Sequence, residues 1–239
     1  MIALSNVTKK FGELVAVNDL SFTVEKEQVF GIAGPNGAGK STIYNLISGV
    51  YTFEGRIEFE GRDISRLQPH RISKLGIART FQIPRTFPSL SVEESISVGN
   101  RFGARGKFDR RYVRKIIDFL ELNGVRKSPT GRLSLLEKKK LMMGAALATR
   151  PKVLLLDEPM AGSNTNEIKD LMDLIRRINV EMGVTIIIIE HFMKVLTELT
   201  ETLLIIETGT EICCGDPHTV TSDPRVIESY LGEAYADGN

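Results

Sequence analysis

The sequence predicts an α/β fold: a core with a mainly parallel sheet, an N-terminal antiparallel β-subdomain and an inserted helical subdomain. Three observations predict it. The continuous apolar runs at 153–156 and 185–189 are bounded by polar and charged residues, and read as strands buried on both faces of a sheet. Between them Ile168, Leu171, Met172, Ile175 and Ile178 recur at spacings of three and four, the pattern of an amphipathic crossover helix. Strand, helix and strand make a βαβ unit, for which a right-handed crossover is expected. Residues 84–150, by contrast, show helical periodicity at Tyr112, Ile116, Phe119 and Leu120 without an apolar strand run.

Each element follows in order. Leu20, Phe22 and Val24 alternate with polar neighbours, as do Ile57 and Phe59, which suits half-buried antiparallel strands. The apolar run at 29–33 enters a glycine-rich turn and then a helix-like segment at 41–48. Near the end, residues 203–207 and 211–214 read as a strand pair turned by Thr208-Gly209, followed by a helix near 226–231. One domain over 1–239 accommodates all of this. Residues 1–83 and 151–239 form the α/β core with its antiparallel part, and 84–150 form the helical insert.

Composition narrows the class. With 239 residues, 42% hydrophobic and 26% charged, 21 glycines and 9 prolines, the chain is neither collagen-like, low-complexity nor wholly disordered. Thirty-one basic residues against thirty acidic ones leave a net charge of +1, so no global field recruits nucleic acid or an anionic membrane. Cys213 and Cys214 are sequence neighbours, a poor geometry for a disulfide, which excludes a disulfide-stapled secreted fold. No apolar run approaches the ~18 residues of a membrane span, and the first ten residues lack the apolar stretch of a signal peptide. The expectation is a soluble cytoplasmic protein.

The strongest chemical signal is Gly34-Pro35-Asn36-Gly37-Ala38-Gly39-Lys40-Ser41-Thr42, which matches G-x-x-x-x-G-K-[ST] between a strand and a helix. Glycines there let successive backbone N–H groups turn inward around phosphates, and the helix N-terminus adds its positive dipole end. Lys40 is suited to the β- and γ-phosphates and Ser41 to Mg²⁺. The core is thus a P-loop NTPase core. Asp157 and Glu158 end the apolar run at 153–156, where a carboxylate lies beside the phosphate loop of a doubly wound sheet. Asp157 is placed for the Mg²⁺ water shell and Glu158 to polarise an attacking water. Phosphoryl transfer depends on this kind of positioning and charge neutralisation.

Together these motifs resemble the ATP-binding subunits of ABC transporters, over essentially the whole chain. The resemblance implies a Q-loop at Thr80-Phe81-Gln82, whose Gln82 meets Mg²⁺ and the attacking water. It implies that His191 contacts the γ-phosphate and that Phe11 stacks on adenine. Arg79-Thr80-Phe81-Gln82, Ala161-Gly162-Ser163-Asn164 and the ending Tyr230-Leu231-Gly232-Glu233 look like the branched-chain amino-acid importer ATPases. Urea-type importer and lipopolysaccharide-export ATPases share some of these marks.

One segment departs from the family. Its signature resembles Leu-Ser-Gly-Gly-Gln, but here the stretch is Leu133-Ser134-Leu135-Leu136-Glu137. Leucine adds a side chain where glycine lets the backbone approach a phosphate. Ser134-x-x-Glu137 is instead a capping box, which folds Glu137 back on the helix that follows. Because such subunits pair head to tail, each nucleotide lies between one chain's phosphate loop and the other's signature. The expectation is a second ABC ATPase subunit as partner, a heterodimer of unequal sites being favoured over a homodimer.

Several weaker signals complete the reading. Lys107, Arg110, Arg111, Arg114 and Lys115 read as a solvated helix face, with contact to lipid headgroups or a transmembrane partner as the alternative. Residues 137–140 read as exposed helix surface. Cys213, Cys214, Asp216 and His218 match no standard zinc spacing.

The expected function is an ATPase, using ATP and Mg²⁺, that powers a branched-chain amino-acid importer. It would lie peripherally on the inner face of the cell membrane, with residues 83–95 touching a transmembrane permease and no nucleic acid bound. Alternatives are a non-transport ABC ATPase of DNA repair or ribosomes, an ABC subunit with one impaired ATP site, and a P-loop kinase.

Overall fold

A computed structural model of the chain describes residues 1–103 and 107–229. In chain order the elements are β1 (Ile2–Phe11), β2 (Leu14–Val24), β3 (Val29–Ala33), α1 (Lys40–Ile47), β4 (Glu54–Phe59), β5 (Arg62–Asp63), α2 (Pro69–Leu75) and β6 (Ile77–Arg79). The helices α3 (Val92–Phe102), α4 (Arg110–Phe119) and α5 (Leu135–Leu147) follow. The chain continues with β7 (Val153–Asp157), α6 (Thr165–Met182), β8 (Thr185–Ile189), α7 (Met193–Leu199), β9 (Thr202–Glu207), β10 (Thr210–Gly215) and α8 (Pro217–Thr221). Two compact units result, 1–72 with 185–239, and 73–184.

The first unit holds the antiparallel part. β1 pairs with β2 on one side and β4 on the other, and β5 continues from β4. Ile2 faces Val24 and Phe59, while Leu4 faces Phe22 and Ile57, all of them buried. The period-two alternation seen in the sequence is therefore the buried face of this sheet. The same unit carries β3 in parallel register with β8 (Val29 opposite Ile186) and with β9 (Phe30 opposite Thr202), and β10 pairs antiparallel with β9. All residues of β3 and β8 are buried, as strands covered on both faces require. Helix α1 packs through Ile43, Tyr44, Leu46 and Ile47, and the Tyr44 hydroxyl donates to the Ile187 carbonyl at 2.6 Å. This fixes the helix that follows the glycine-rich turn against β8.

The second unit contains β6 and β7 in parallel register, Ile77 opposite Val153 and Arg79 opposite Leu155, together with α3 to α6. Polar caps start its helices. Ser91 and Glu94 close a capping box on α3, Asp109 accepts from Arg111 and Tyr112 on α4, and Asn164 with Glu167 closes a box on α6. Between 84 and 150 the described residues form helices, with one isolated bridge between Ser91 and Pro129 and no strand. The basic residues Lys107, Arg110, Arg111, Arg114 and Lys115 are exposed, while α4 buries Val113, Ile116 and Ile117 on its other side.

Residues 224–229 are helical. The rest of the expected helix, with Tyr230, Leu231, Gly232 and Glu233, lies outside the described residues. Among the described residues no helix is long and apolar enough to cross a membrane.

Candidate nucleotide site

The phosphate loop leaves β3 directly. Gly34 has φ 151° and Gly39 φ 102°, both in the region that favours glycine. A Cβ on Gly34 would lie 2.0 Å from the Ile206 carbonyl oxygen, and one on Gly39 2.3 Å from that of Ala16. The tight turn thus needs glycine for space as well as for conformation. Gly37, at φ 80°, meets nothing within 4 Å and leaves the crest of the loop open, flanked by exposed Asn36.

Gly39 is the N-cap of α1 and supplies no side-chain cap, nor does the first turn carry an acid. The first N–H groups of the helix therefore point into the loop without a carboxylate competing for them, the arrangement that suits a phosphate. Lys40 is 6% exposed, and its ammonium donates to the Gly34 carbonyl at 2.5 Å and to the Pro35 carbonyl at 2.8 Å. It stands inside the loop as a held cation. Ser41 is exposed, Thr42 half-buried, and Pro35 and Ala38 complete the turn.

Two further residues of the same unit were expected at the site. Phe11 ends β1 with 40% of its surface exposed, its ring edge-on to Tyr51 at 5.1 Å and under Lys9 Nζ at 4.8 Å. That leaves one aromatic face fixed yet accessible. His191 follows β8, half-buried, and its backbone N–H donates to Glu190 Oε2 at 3.2 Å.

The second unit brings the remaining three together. Gln82 Nε2 donates to Glu158 Oε2 at 2.5 Å. Glu158 itself has φ 45°, a conformation that costs a non-glycine residue of order 1–3 kcal/mol and concentrates at functional positions. Asp157 is buried at the end of β7, and Arg79 Nη2 donates to its Oδ2 at 2.8 Å. Thr80 joins the same strand end, its N–H donating to the Leu155 carbonyl at 2.9 Å. Sequence reasoning put Arg79 in a family mark but gave it no task. The signal was its place, three residues before Gln82 and at the end of a strand pairing with β7.

The signature segment is a helix cap. Ser134 Oγ accepts from the Glu137 N–H at 3.2 Å, and Glu137 Oε2 accepts from the Ser134 N–H at 2.7 Å, as the S-x-x-E spacing predicts. Leu135 is 41% exposed, and its Cδ2 lies 3.4 Å from where a Cβ on Gly162 would stand.

One expectation is corrected. The run of charges predicts exposed surface at 137–140, but Lys139 is 2% exposed, its ammonium donating to the Ala161 carbonyl at 2.5 Å and to Ser163 Oγ at 2.7 Å. Lys139 precedes buried Met143 and Leu147 at intervals of four, so it falls on the buried stripe of α5. Its ammonium is tolerated there because oxygen acceptors receive it.

Sites of three or more metal-ligating His, Cys, Asp or Glu side chains are absent among the described residues. Taken separately, Ser41 of the first unit carries a hydroxyl, and Gln82 and Asp157 of the second carry an amide and a carboxylate oxygen, the hard donor types that Mg²⁺ takes.

A glycine loop leaving β3 and a capless helix behind it define a nucleotide-binding P-loop. Residues 17–161 match the ABC transporter family and residues 211–236 match the branched-chain amino acid ATP-binding cassette transporter module. The chain belongs to the ABC transporter family and is an ATPase of that family. It is 34% identical to the high-affinity branched-chain amino acid transport ATP-binding protein BraF of Pseudomonas aeruginosa, over 98% of both chains. It is 32% identical to LivG of Salmonella typhimurium, a protein of the same description, again over 98% of both.

Among solved structures, a nucleotide-free ATP-binding cassette of an ABC transporter superposes with TM-score 0.87 at 31% identity, covering 96% of this chain and 98% of that one. The ADP conformation of such a cassette gives TM-score 0.88 at 32% identity, covering 97% and 98%.

Proposed function

We propose that this chain is the motor subunit of an importer for branched-chain amino acids. It works from the inner face of the cell membrane on a permease that carries the solute. The observation that carries the coupling role is the 2.5 Å bond between Gln82 and Glu158. Gln82 lies between exposed Phe81 and Ile83, with exposed Phe87 close behind. Exposed apolar side chains beside a catalytic acid mark a surface that takes a protein partner. The solute is supported by the description of the relatives and by the C-terminal module at 211–236.

Within this reading, residues 1–239 form a single ABC-type domain, with 84–150 as its helical part. Gly34, Pro35, Asn36, Gly37, Ala38, Gly39, Lys40, Ser41 and Thr42 hold the phosphates, and Phe11 holds the adenine. Glu158 is the general base. Gln82 orients it and the attacking water, His191 steadies the γ-phosphate, and Ser41, Gln82 and Asp157 hold Mg²⁺. Held by these residues, Mg²⁺ would supply neutralisation of the charge on the phosphates.

The partner is a second ABC ATPase subunit, and a heterodimer is favoured. The capping box on Ser134 and Glu137 and the exposed Leu135 leave this chain's own signature face poorly suited to a phosphate. A partner with an intact signature completes the site at Lys40, whereas two copies of this chain make two impaired sites.

Co-purification with the permease, followed by ATPase assays with and without solute, tests the role. Ile83→Glu with Phe87→Glu is expected to abolish co-purification while ATP binding persists. Retained permease binding by that variant would refute the coupling surface.

A further inference from the structure

The segment 79–82 supplies a partner to each of two adjacent carboxylates: Gln82 to Glu158, and Arg79 to Asp157. Arg79 stands at the end of β6, whose register sets it opposite Leu155, two residues before Asp157 on β7. The two side chains are 13% and 8% exposed, with N and O 2.8 Å apart. The Phe81 ring lies 5.4 Å from the guanidinium carbon, beside the pair. The backbone leaves little freedom, because Thr80 bonds to the Leu155 carbonyl one residue after Arg79.

A carboxylate this deeply buried needs a compensating charge, and removing one member of a buried pair strands the other. Asp157 therefore carries a cation supplied by its own chain. This bears on the metal, since Asp157 is also the carboxylate read as serving Mg²⁺. A guanidinium against Oδ2 compensates the carboxylate's charge and fixes its position. It also repels an incoming divalent cation, through an environment of low dielectric in which such repulsion is strong.

We propose that Arg79 is the resident counter-ion of Asp157, a positioning residue that balances the carboxylate while no metal is bound and weakens Mg²⁺ binding to it. This rests on the reading of Asp157 as the Mg²⁺-serving carboxylate. Chemically, the device makes the metal dependent on the nucleotide phosphates for tight binding, so that metal leaves with product instead of remaining on the protein.

The test uses the full chain, with two readouts: the melting temperature of the nucleotide-free protein, and the Mg²⁺ concentration giving half of the metal-dependent stabilisation at fixed ATP. Arg79→Met is expected to lower the nucleotide-free melting temperature by about 6–12 °C. In an Asp157→Asn background the same change is expected to cost much less, since no charge is stranded. The half-effective Mg²⁺ concentration is expected to fall several-fold in Arg79→Met. Arg79→Gln keeps a hydrogen-bond donor without the charge, and gives the same metal readout should the methionine variant fail to fold. An unchanged or raised Mg²⁺ requirement, or an equal melting penalty in the Asp157→Asn background, overturns the proposal. Absence of any Mg²⁺-dependent stabilisation in the parent chain instead refutes the reading of Asp157 on which it rests.

Discussion

The side-chain amide of Gln82 donates to Glu158 Oε2 at 2.5 Å, so a residue within the exposed apolar segment is bonded to the acid that follows the buried strand β7. Glu158 reaches that bond through a backbone at φ 45°, and Gln82 reaches it from the turn after β6. Gln82 thus links the exposed segment to the carboxylate through one side chain.

Glu158→Gln keeps the shape of this contact and removes the basic oxygen. Turnover is expected to fall by about 10²–10⁴-fold, the range of a lost general base. ATP binding should be preserved, because the phosphate loop is untouched. Single-turnover hydrolysis beside equilibrium ATP binding measures both, and a variant that hydrolyses like the parent removes Glu158 from the base role.

Much of this was legible in the sequence for a physical reason: strands buried on both faces and glycine loops constrain residue type locally. The runs at 153–156 and 185–189 are buried strands, the alternation around Leu20 and Ile57 is a buried face, and Ser134-x-x-Glu137 closes as written. What escaped the sequence depends on side chains meeting across long separations. Arg79 meets Asp157 across 78 residues and Lys139 meets Ala161 across 22. Lysine and arginine in a helix or at a strand end look like surface until their acceptors are located. The intervals from Lys139 to Met143 and Leu147 carried that information, masked by the flanking lysines.

Lys139 ties α5 to the turn between Glu158 and α6. Lys139→Met retains the stem but leaves the Ala161 carbonyl and the Ser163 hydroxyl without this donor, at a cost of about 1–3 kcal/mol. Thermal or denaturant unfolding reads the loss. Ser163→Ala is expected to cost less, since the carbonyl keeps its partner, and the two changes should be non-additive. Strict additivity would mean that the two groups do not share one interaction.

Cys214 is exposed on β10, yet its thiol is pushed up to about 11, first by partial burial and then by the neighbouring Glu211 carboxylate and Cys213. Only the thiolate is nucleophilic. Because the folded value lies above the ordinary 9.0, the neutral form is favoured by folding, so this contribution to stability is complete below pH 9 and fades as pH rises toward 11. Alkylation of Cys214 by iodoacetamide is expected to be slow at pH 8 and to accelerate between pH 9 and 11. Urea-unfolded chain should react faster at pH 8. Equal rates in the folded and unfolded chain at that pH would contradict the shift.

The altered signature offers the sharpest test of unequal sites. Changing Leu135→Gly, Leu136→Gly and Glu137→Gln together installs the family-like stretch. Glutamine at this position still closes the capping box with Ser134, so the helix start is kept, while each glycine costs up to about 1 kcal/mol of helix stability. The isolated parent chain is expected to hydrolyse ATP slowly and without cooperativity, because a dimer of it pairs each phosphate loop with a face carrying Leu135 and Glu137. The triple variant removes both the side chain and the charge from that face, and is expected to dimerise on ATP and hydrolyse it at least about tenfold faster despite its lower stability, a gain equivalent to about 1.4 kcal/mol of barrier. Brisk, cooperative hydrolysis by the parent alone would mean that its signature face works as it stands, and that a heterodimer is not required.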